Sequence, residues 1–233
     1  MNRAHALAGL ILLGGCAGQL QPASPQFISA SNSIGTFSVP VASMRALKFD
    51  TVVHQQYDFS CGSAALATLL RFHYGLPRSE GDVFTGMWRE GDRARIRQVG
   101  FSLLDMKRYL AEQSLGADGY RVSLDAIAKR GLPGIALITI KGYRHFVVVK
   151  GIGTDTVLIG DPSLGLRTVS RRAFAKMWNG IYFVLTSDTA EGQRNFNGPR
   201  QWSALPRAPI GDPFLQPLSV QSLALTAPFY RDF

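Results

Sequence analysis

A lone thiol stands at the start of a predicted helix in the segment VHQQYDFSCGSAALATLL, residues 52–69. The N–H groups and the dipole of a first helical turn stabilise negative charge, so a cysteine placed there can react as a thiolate. Cys61 is therefore a candidate nucleophile, and its own N–H, next to the open backbone of Gly62, could help to hold an oxyanion. The alternative is a buried structural cysteine, which is the commoner role of an isolated cysteine.

A nucleophilic thiolate needs a general base, and the chain has four histidines. His5 belongs to the N-terminal segment, and His73 ends the helix that Cys61 begins, about 18 Å away at about 1.5 Å per residue. His54 lies in the segment that enters this helix. His145 heads the strand-like run HFVVV, a rigid mount from which an imidazole can face a helix N-terminus. His145 is therefore the candidate base, and a structural histidine at a strand edge is the alternative.

Asp161, in the segment IGDPSLG, is the candidate to orient that imidazole through its other ring nitrogen. A turn predicted at residues 153–155 joins the strand-like runs that carry His145 and Asp161, and similar numbers of residues separate the two side chains from it. An antiparallel hairpin would therefore bring Asp161 back beside His145. A simple turn-opening role for the Asp-Pro pair is the alternative.

Two glutamines could supply an oxyanion donor. Gln55 and Gln56 lie six and five residues before Cys61, where a side-chain amide can point at a carbonyl oxygen held over the thiol. Each of these features is weak alone. Together they form an ordered set, with a glutamine, a cysteine at a helix start, a histidine at a strand start and an aspartate on the paired strand.

The elements that must position this set change type along the chain. Apolar periodicity, capping residues and glycine stops predict helices over residues 61–74, 79–90, 102–115 and 123–129, with Ser60 as the cap of the first. β-rich runs predict strands over residues 135–140, 145–152, 156–162 and 181–185, after a short lead-in strand over 46–53. Helices followed by antiparallel strands predict an α+β fold, with the N-terminal helices packed on the sheet.

The ordered set resembles the papain-like cysteine peptidases, and specifically peptidase family C39, the double-glycine peptidases. The resemblance covers residues 46–188 and is carried by Gln55, Asp58, Cys61-Gly62, Ala64-Ala65, GFSLLDMKRYL at 100–110, HFVVVKGI at 145–152 and DPSLG at 161–165. It implies the papain-like fold, with Cys61 as nucleophile, His145 as general base and acid, and Asp161 as the orienting residue. It also implies Gln55 rather than Gln56 as the oxyanion donor, because the family places its glutamine six residues before the cysteine.

The resemblance further implies a cysteine endopeptidase that cleaves after small residues, notably Gly-Gly, in leader or linker segments of exported proteins. No transporter segment follows residue 188, so the plan is similar to that of stand-alone C39-like proteins encoded with secreted functional amyloid of the Fap type. Two alternatives stay open. One is a non-catalytic peptide-binding or export-accessory module on the same fold, and the other is amide hydrolysis or acyl transfer on cell-wall peptide.

The N-terminus resembles a bacterial lipoprotein signal. Arg3 is followed by a short apolar run and then by Leu-Gly-Gly-Cys, which ends at Cys16. The run is too short to span a bilayer, so residues 1–15 are predicted to be a signal peptide, with a lipid on Cys16 as the membrane anchor. An ordinary signal peptide with an incidental cysteine is the alternative. The expected location is the cell envelope, as a lipoprotein of the outer membrane that faces the periplasm.

The flanking segments and the composition bound the remaining possibilities. Residues 16–45 are predicted to be a flexible tether and residues 189–233 an extended tail, on either side of a domain over 46–188. The net charge is +9, but the basic residues are scattered and not interleaved with aromatic ones, which argues against a nucleic-acid partner. No HExxH, CxxC, P-loop or GxGxxG motif occurs, so neither a metal nor a cofactor is expected. The expected partner is a polypeptide substrate.

Overall fold

The computed structural model describes residues 43–203, which hold nine helices and six strands. The predicted signal peptide, the lipidation site Cys16, the tether up to residue 42 and the tail beyond residue 203 lie outside the described residues. The helices are α1 (Met44–Phe49), α2 (Cys61–His73), α3 (Glu80–Glu90), α4 (Arg93–Val99), α5 (Leu103–Glu112), α6 (Leu124–Arg130), α7 (Arg171–Met177), α8 (Thr189–Arg194) and α9 (Pro199–Ser203). The strands are β1 (Ala117–Arg121), β2 (Gly134–Ile140), β3 (Tyr143–Ile152), β4 (Thr156–Asp161), β5 (Gly165–Ser170) and β6 (Trp178–Leu185).

The strands form one antiparallel sheet in the order β1-β6-β2-β3-β4-β5. Strands β2 to β5 follow one another as hairpins, whereas β6 returns to pair with both β1 and β2. In the central hairpin, Val148 of β3 lies opposite Gly160 of β4. The last residue of β4, Asp161, therefore comes back to the part of β3 that carries His145. The predicted hairpin is confirmed.

Helices cover both faces of the sheet, and alternate residues of β3 separate the two cores. Phe146 and Val148 pack in a cluster with side chains of α2, α3 and α5, whereas Val147 and Val149 pack with side chains of α6 and α7. A strand buried on both faces reads as a continuous apolar run, which explains FVVV. The α+β fold with helices packed on an antiparallel sheet is confirmed, and later helices add a layer on the second face.

Helix α2 crosses the first face and is buried from Cys61 to Leu70. Small side chains, mainly alanine, let the helix backbone lie close to its neighbours. Gly62 has no space for a side chain, because an added Cβ would lie 3.0 Å from the Met106 side chain and 3.1 Å from that of Phe101. The helix ends just before Gly75, whose φ of +64° favours glycine, as the sequence predicted.

The lead-in segment is a helix, so the strand predicted over residues 46–53 is wrong. Ser43 caps α1 with its side-chain oxygen, and the helix packs against the edge strand β5. At Gly165, whose φ is +79°, an added Cβ would lie 2.7 Å from the carbonyl oxygen of Lys48. The edge of the sheet is thus covered by a helix rather than extended by a further strand.

Four other elements of the described part were not predicted. Strands β1 (ADGYR) and β5 (GLRTVS) carry glycine and charged residues and have little apolar alternation. They form by pairing with β6 and β4, a long-range effect that propensity does not report. Helices α4 and α7 have seven residues each and are capped by Asp92 and Ser170. Helices this short give too few turns for a clear apolar period.

Residues 189–203 form α8 and α9, where an extended tail is predicted. Long-range hydrogen bonds hold this segment to the domain. The side-chain amide of Asn195 donates to the carbonyl oxygen of His73 at 3.0 Å, and the Asn197 side-chain oxygen accepts from the Ile152 N–H at 2.8 Å. These contacts with α2 and β3 leave no signal in the local sequence, which explains why the two helices were missed.

A fully buried lysine lies within the domain, between β3 and the segment that follows α1. Lys150 donates a hydrogen bond from Nζ to the carbonyl oxygen of Thr51 at 2.8 Å, and Nζ lies 5.3 Å from the centre of the Phe72 ring. Burial lowers the pKa of Lys150 to about 7. The Thr51 hydroxyl and both ring nitrogens of His73 are buried without a hydrogen-bond partner in the described part. The charged ammonium is therefore poorly compensated there.

We expect Lys150→Met to flatten the dependence of folding stability on pH between pH 7 and 10. The folded state binds fewer protons than the unfolded state in this interval, because the pKa is about 7 when folded and 10.5 otherwise. The contribution of Lys150 to the free energy of unfolding therefore rises with pH. The Lys150→Met variant should lack this contribution, which reduces the rise by about 3 kcal/mol. Denaturant unfolding followed by tryptophan fluorescence measures the change. Lys129→Met, at an exposed lysine of α6, is the control, and equal slopes in the two variants would contradict the prediction.

Candidate active site

Cys61 is the first residue of α2 and the only cysteine in residues 43–203. Its relative exposure is 8 %. Ser60 stands at the N-cap position, as predicted, but its side chain makes no capping hydrogen bond. The Ser60 hydroxyl is instead bonded to the Glu80 carboxylate and accepts a hydrogen bond from the Tyr57 N–H at 3.1 Å. The first-turn N–H groups of α2 thus keep no side-chain cap, which leaves them available to negative charge at Cys61.

His145 and Asp161 form a buried pair beside the thiol. Nε2 of His145 lies 2.7 Å from Oδ1 of Asp161, and the relative exposures of the two residues are 4 % and 1 %. Nδ1 of His145 is buried without a hydrogen-bond partner among the described residues. Burial lowers the pKa of His145, but the hydrogen bond to Asp161 and the negative charges of Asp161 and Cys61 outweigh it and raise the pKa to about 9. The imidazole is therefore protonated at neutral pH, held by Asp161 on one side and next to the sulfur on the other.

Asp161 is itself held by donors on both carboxylate oxygens. Oδ1 also accepts from the N–H groups of Ser163 at 3.0 Å and Leu164 at 3.3 Å. Oδ2 accepts from Nε and Nη2 of Arg167, at 3.1 and 3.0 Å. Burial raises the pKa of Asp161, but the bond and charge of His145, the Ser163 N–H and the Arg167 charge together lower it. Asp161 is therefore an ionised carboxylate with a fixed orientation.

Arg167 was missed in the sequence, although a signal for it exists. Asp161 lies opposite Gly165 in the β4–β5 hairpin, so Arg167 is its diagonal neighbour on the same face. Long side chains at diagonal positions of an antiparallel pair are within reach of each other. A hairpin assigned over DPSLGLR would have placed the guanidinium beside the carboxylate, but β5 was not predicted.

Gln55 is bound to the same turn as Asp161. Its backbone N–H donates to the carbonyl oxygen of Pro162 at 3.0 Å, and its side-chain oxygen accepts from the Ser163 hydroxyl at 2.9 Å. Its Nε2 donates to the carbonyl oxygen of Tyr57 at 3.1 Å. The amide is thus held at both ends, and one of its two N–H groups is not used in these bonds. The structure therefore places Gln55 in a network with Asp161 and with the loop that precedes Cys61.

The neighbouring candidates have other surroundings. The side chain of Gln56 is exposed, and its backbone N–H donates to the Glu80 carboxylate at 3.2 Å. His54 is also exposed, with its ring 4.6 Å from that of Phe49. His73 is buried at the far end of α2, where burial and then the charge of Lys150 lower its pKa well below the usual range. None of these three residues joins the pair that His145 makes with Asp161.

Tyr143 bridges the site from β3 to the loop before Cys61. Its hydroxyl donates to the carbonyl oxygen of Asp58 at 2.9 Å, and its ring centre lies 6.1 Å from that of His145. The Tyr143 side chain is half exposed, so its ring stands at the surface beside the buried His145.

Other parts of the described chain show no competing catalytic feature. A cavity of about 520 Å³ lies on the α6 side of the sheet, with Ile127, Leu132, Tyr182 and Val184 among its lining residues. It is separated by the sheet from Cys61, which belongs to the other core. Within residues 43–203, no group of three His, Cys, Asp or Glu side chains could hold a metal ion. In the same residues, no helix is both long and apolar enough to cross a membrane.

The sequence is similar to a known protein family and to two bacterial relatives. A profile of the Peptidase C39 family matches residues 50–190. A protein of Pseudomonas fluorescens described as a probable functional amyloid protease FapD is 42% identical over 190 residues, which are 81% of each chain. A protein of Pseudomonas aeruginosa with the same description is 43% identical over 145 residues, which are 62% of this chain and 64% of the relative.

Two solved structures also resemble this chain over more than half of its length. The peptidase domain of Streptococcus ComA, a bi-functional ABC transporter, matches with 22% identity and a TM-score of 0.46, over 58% of this chain and 96% of that domain. A double glycine motif protease from an AMS/PCAT transporter, in complex with the leader peptide, matches with 24% identity and a TM-score of 0.47, over 57% and 89%. The family profile and the relatives settle the assignment: this chain belongs to the peptidase C39 family and is a cysteine peptidase.

Proposed function

We propose that this peptidase acts through Cys61, His145 and Asp161, with Gln55 as oxyanion donor. The observation that carries the proposal is the buried His145, which is bonded to Asp161 at 2.7 Å through Nε2, has no partner at Nδ1 among the described residues, and interacts electrostatically with Cys61. This is the arrangement that a base needs, because one ring nitrogen is oriented by a carboxylate and the other can exchange a proton with the nucleophile and the leaving group.

The reaction would proceed in two steps, formation of an acyl-enzyme and its hydrolysis. The Cys61 thiolate attacks the carbonyl carbon, and the oxyanion is held by the Cys61 N–H and the remaining N–H of the Gln55 amide. The carbon–nitrogen bond breaks as His145 gives its Nδ1 proton to the leaving amine, which leaves a thioester acyl-enzyme. Water then gives a proton to Nδ1 and attacks the thioester, so that the carboxylic acid and the thiolate are released.

The cleaved bond is proposed to follow a small residue, such as the second glycine of Gly-Gly. The Tyr143 ring beside His145 and the slight exposure of Cys61 support this specificity. The substrates are proposed to be leader or linker segments of exported proteins. The description of the Pseudomonas fluorescens relative supports a substrate among the proteins of a functional amyloid.

We expect peptides with Gly-Gly before the scissile bond to be cleaved, with kcat/KM about 10- to 200-fold higher than for Ala-Ala in the same flanking sequence. In the proposed binding mode, each added methyl group of the substrate must fit beside the Tyr143 side chain. Mass spectrometry of the products from such a peptide pair gives both the site and the rate. The His145→Ala variant is the control for contaminating peptidases. Equal cleavage after Leu-Leu, or turnover of cell-wall peptides alone, would contradict the proposed specificity.

The location is a separate proposal, supported by the sequence. We propose that a lipid on Cys16 anchors the peptidase to the outer membrane, facing the periplasm, because the short apolar run, the small residues and the cysteine coincide. Fractionation of cells that make the native chain or Cys16→Ser measures this. Loss of the variant from the membrane fraction is expected, and an unchanged distribution would rule out the anchor.

A further inference from the structure

A buried carboxylate that the proposed mechanism does not use lies behind the nucleophile. Glu80 is the first residue of α3, yet its relative exposure is only 3 %. Its Oε1 accepts hydrogen bonds from the backbone N–H of Gln56, at 3.2 Å, and from the Ser60 hydroxyl. Its Oε2 is buried without a hydrogen-bond partner among the described residues. A first-turn acidic residue also interacts favourably with the helix dipole from the surface, so α3 does not require this carboxylate to be buried.

The two groups that Glu80 holds lie at the two ends of one loop. Gln56 directly follows the oxyanion donor Gln55, and Ser60 directly precedes the nucleophile Cys61. A single carboxylate oxygen therefore links the residue after the donor to the residue before the thiol. Among the bonds of this loop, the two to Glu80 are those that tie it to a side chain of another helix.

Bonds inside the loop carry the link to the Gln55 side chain. The Tyr57 N–H donates to the Ser60 hydroxyl at 3.1 Å, and the Ser60 N–H donates to the Tyr57 carbonyl oxygen at 3.0 Å. That same carbonyl oxygen accepts from Nε2 of Gln55 at 3.1 Å. The direction of the Gln55 amide thus depends on Tyr57, whose position depends on Ser60 and hence on Glu80.

We propose that Glu80 is a positioning residue, which fixes Gln55 relative to Cys61 and so builds the oxyanion site before substrate binds. The proposal rests on the proposed function, in which these two residues hold the oxyanion. Donors that are already placed need no reorganisation when the charge develops, and this is the source of their effect on the rate. Because Oε2 has no partner among the described residues, the hydrogen bonds of this carboxylate are those that Oε1 accepts from the loop.

Glu80→Ala tests the proposal through the split between kcat and KM. A misplacement of about 1 Å at a reacting centre costs about 100-fold. We expect kcat to fall by about that factor while KM changes less than about threefold, because the peptide contacts outside the oxyanion site remain. Glu80→Gln keeps a neutral oxygen acceptor and should lose about tenfold. Asp82→Ala is the matched control, because Asp82 belongs to the capping box of the same helix turn but has no bond to the loop.

Backbone amide exchange at Gln56 provides a readout that needs no substrate. In Glu80→Ala this amide should exchange at least about tenfold faster than in the native chain, whereas Asp82→Ala should leave it unchanged. If the native chain cleaves no peptide, the proposed function fails, and the exchange rates still decide whether Glu80 holds the loop. Unchanged kcat in Glu80→Ala, unchanged exchange at Gln56, or an equal loss of kcat in Asp82→Ala would overturn the proposal.

A shorter acid covers the case in which the alanine variant does not fold. Glu80→Asp keeps the charge but withdraws the carboxylate by one methylene, so it cannot hold both donors in the native geometry. We expect this variant to fold, with kcat reduced by at least about tenfold and Gln56 exchange accelerated. Native kcat and native exchange in Glu80→Asp would overturn the proposal.

Discussion

Cys61→Ala should reduce peptide hydrolysis on the order of 10⁶-fold, to below detection, while the domain stays folded. In the proposed mechanism the sulfur of Cys61 forms the covalent bond, and no other thiol exists in residues 43–203 to replace it. Alanine has a high helix propensity, and the substitution removes only one small atom, the sulfur. We therefore expect α2 to keep its stability. Circular dichroism and denaturant unfolding check the fold, and cleavage of a Gly-Gly peptide checks the rate.

The same variant separates catalysis from peptide binding. A thiol-directed probe should label the native chain and not Cys61→Ala, and labelling should slow by about 10²- to 10⁴-fold in His145→Ala, which lacks the base. Peptide binding, measured by fluorescence anisotropy, should persist in Cys61→Ala. A variant that still cleaves, or a native protein whose labelling ignores His145, would contradict the role of the thiol. Full cellular function with Cys61→Ser would instead favour the non-catalytic peptide-binding module.

Some residues of this site could be predicted from the sequence, and others could not. Cys61 and the hairpin that joins His145 to Asp161 could be predicted, because a helix start and two strands of similar length leave local patterns. Arg167 and Glu80 were missed, because each acts through a partner on another element, and the signal for Arg167 appears only once β5 is assigned. The Ser60 hydroxyl shows the limit most clearly. Local capping statistics favour a cap, but the Ser60 oxygen accepts from the Tyr57 N–H instead of a first-turn N–H of α2, and its hydroxyl donates to Glu80 on another helix.

The edges of the fold were predicted less well for the same physical reason. The lead-in segment carries apolar residues that suit a strand or a short helix, and Ser43 as cap together with packing on β5 decides for the helix. The edge strands β1 and β5 have weak strand patterns, and they form because their neighbours β6 and β4 offer unpaired backbone groups. The central strands β3 and β4 could be predicted because burial on both faces requires continuous apolar runs.

Burial of the pair formed by His145 and Asp161 makes the charge of His145 depend on Asp161. Burial alone would lower the pKa of His145, and it is the bond to Asp161 together with the charges of Asp161 and Cys61 that raises it to about 9. Because the pKa of His145 is raised in the folded state, its protonated ring stabilises the domain fully below pH 6.5. This contribution is lost as the pH rises through about 9. The pKa of Asp161 is lowered, so its contribution is present above about 4 and is lost as the pH falls below that.

Asp161→Asn should therefore lower kcat/KM about 100-fold or more and shift the alkaline limb of the pH–rate profile to lower pH by at least about one unit. The amide keeps the shape of the side chain but removes the negative charge that favours the imidazolium. The Arg167 guanidinium also stays behind, without the carboxylate it binds. Measurement of kcat/KM from pH 5 to 10 with a Gly-Gly peptide gives both effects, and NMR of His145 gives its charge directly.

Arg167→Met is the matched control for this prediction. It removes one partner of Asp161 and leaves the bond between Asp161 and His145, so its effect on the alkaline limb should be smaller. The Arg167 side chain is 27% exposed and that of Asp161 1%, so a folding defect should be less severe at Arg167. An alkaline limb that stays at the native position in Asp161→Asn would show that Asp161 does not set the charge of His145. In that case the 2.7 Å bond would serve only to orient the ring, and the protonated state of His145 at neutral pH would depend on the Cys61 thiolate alone.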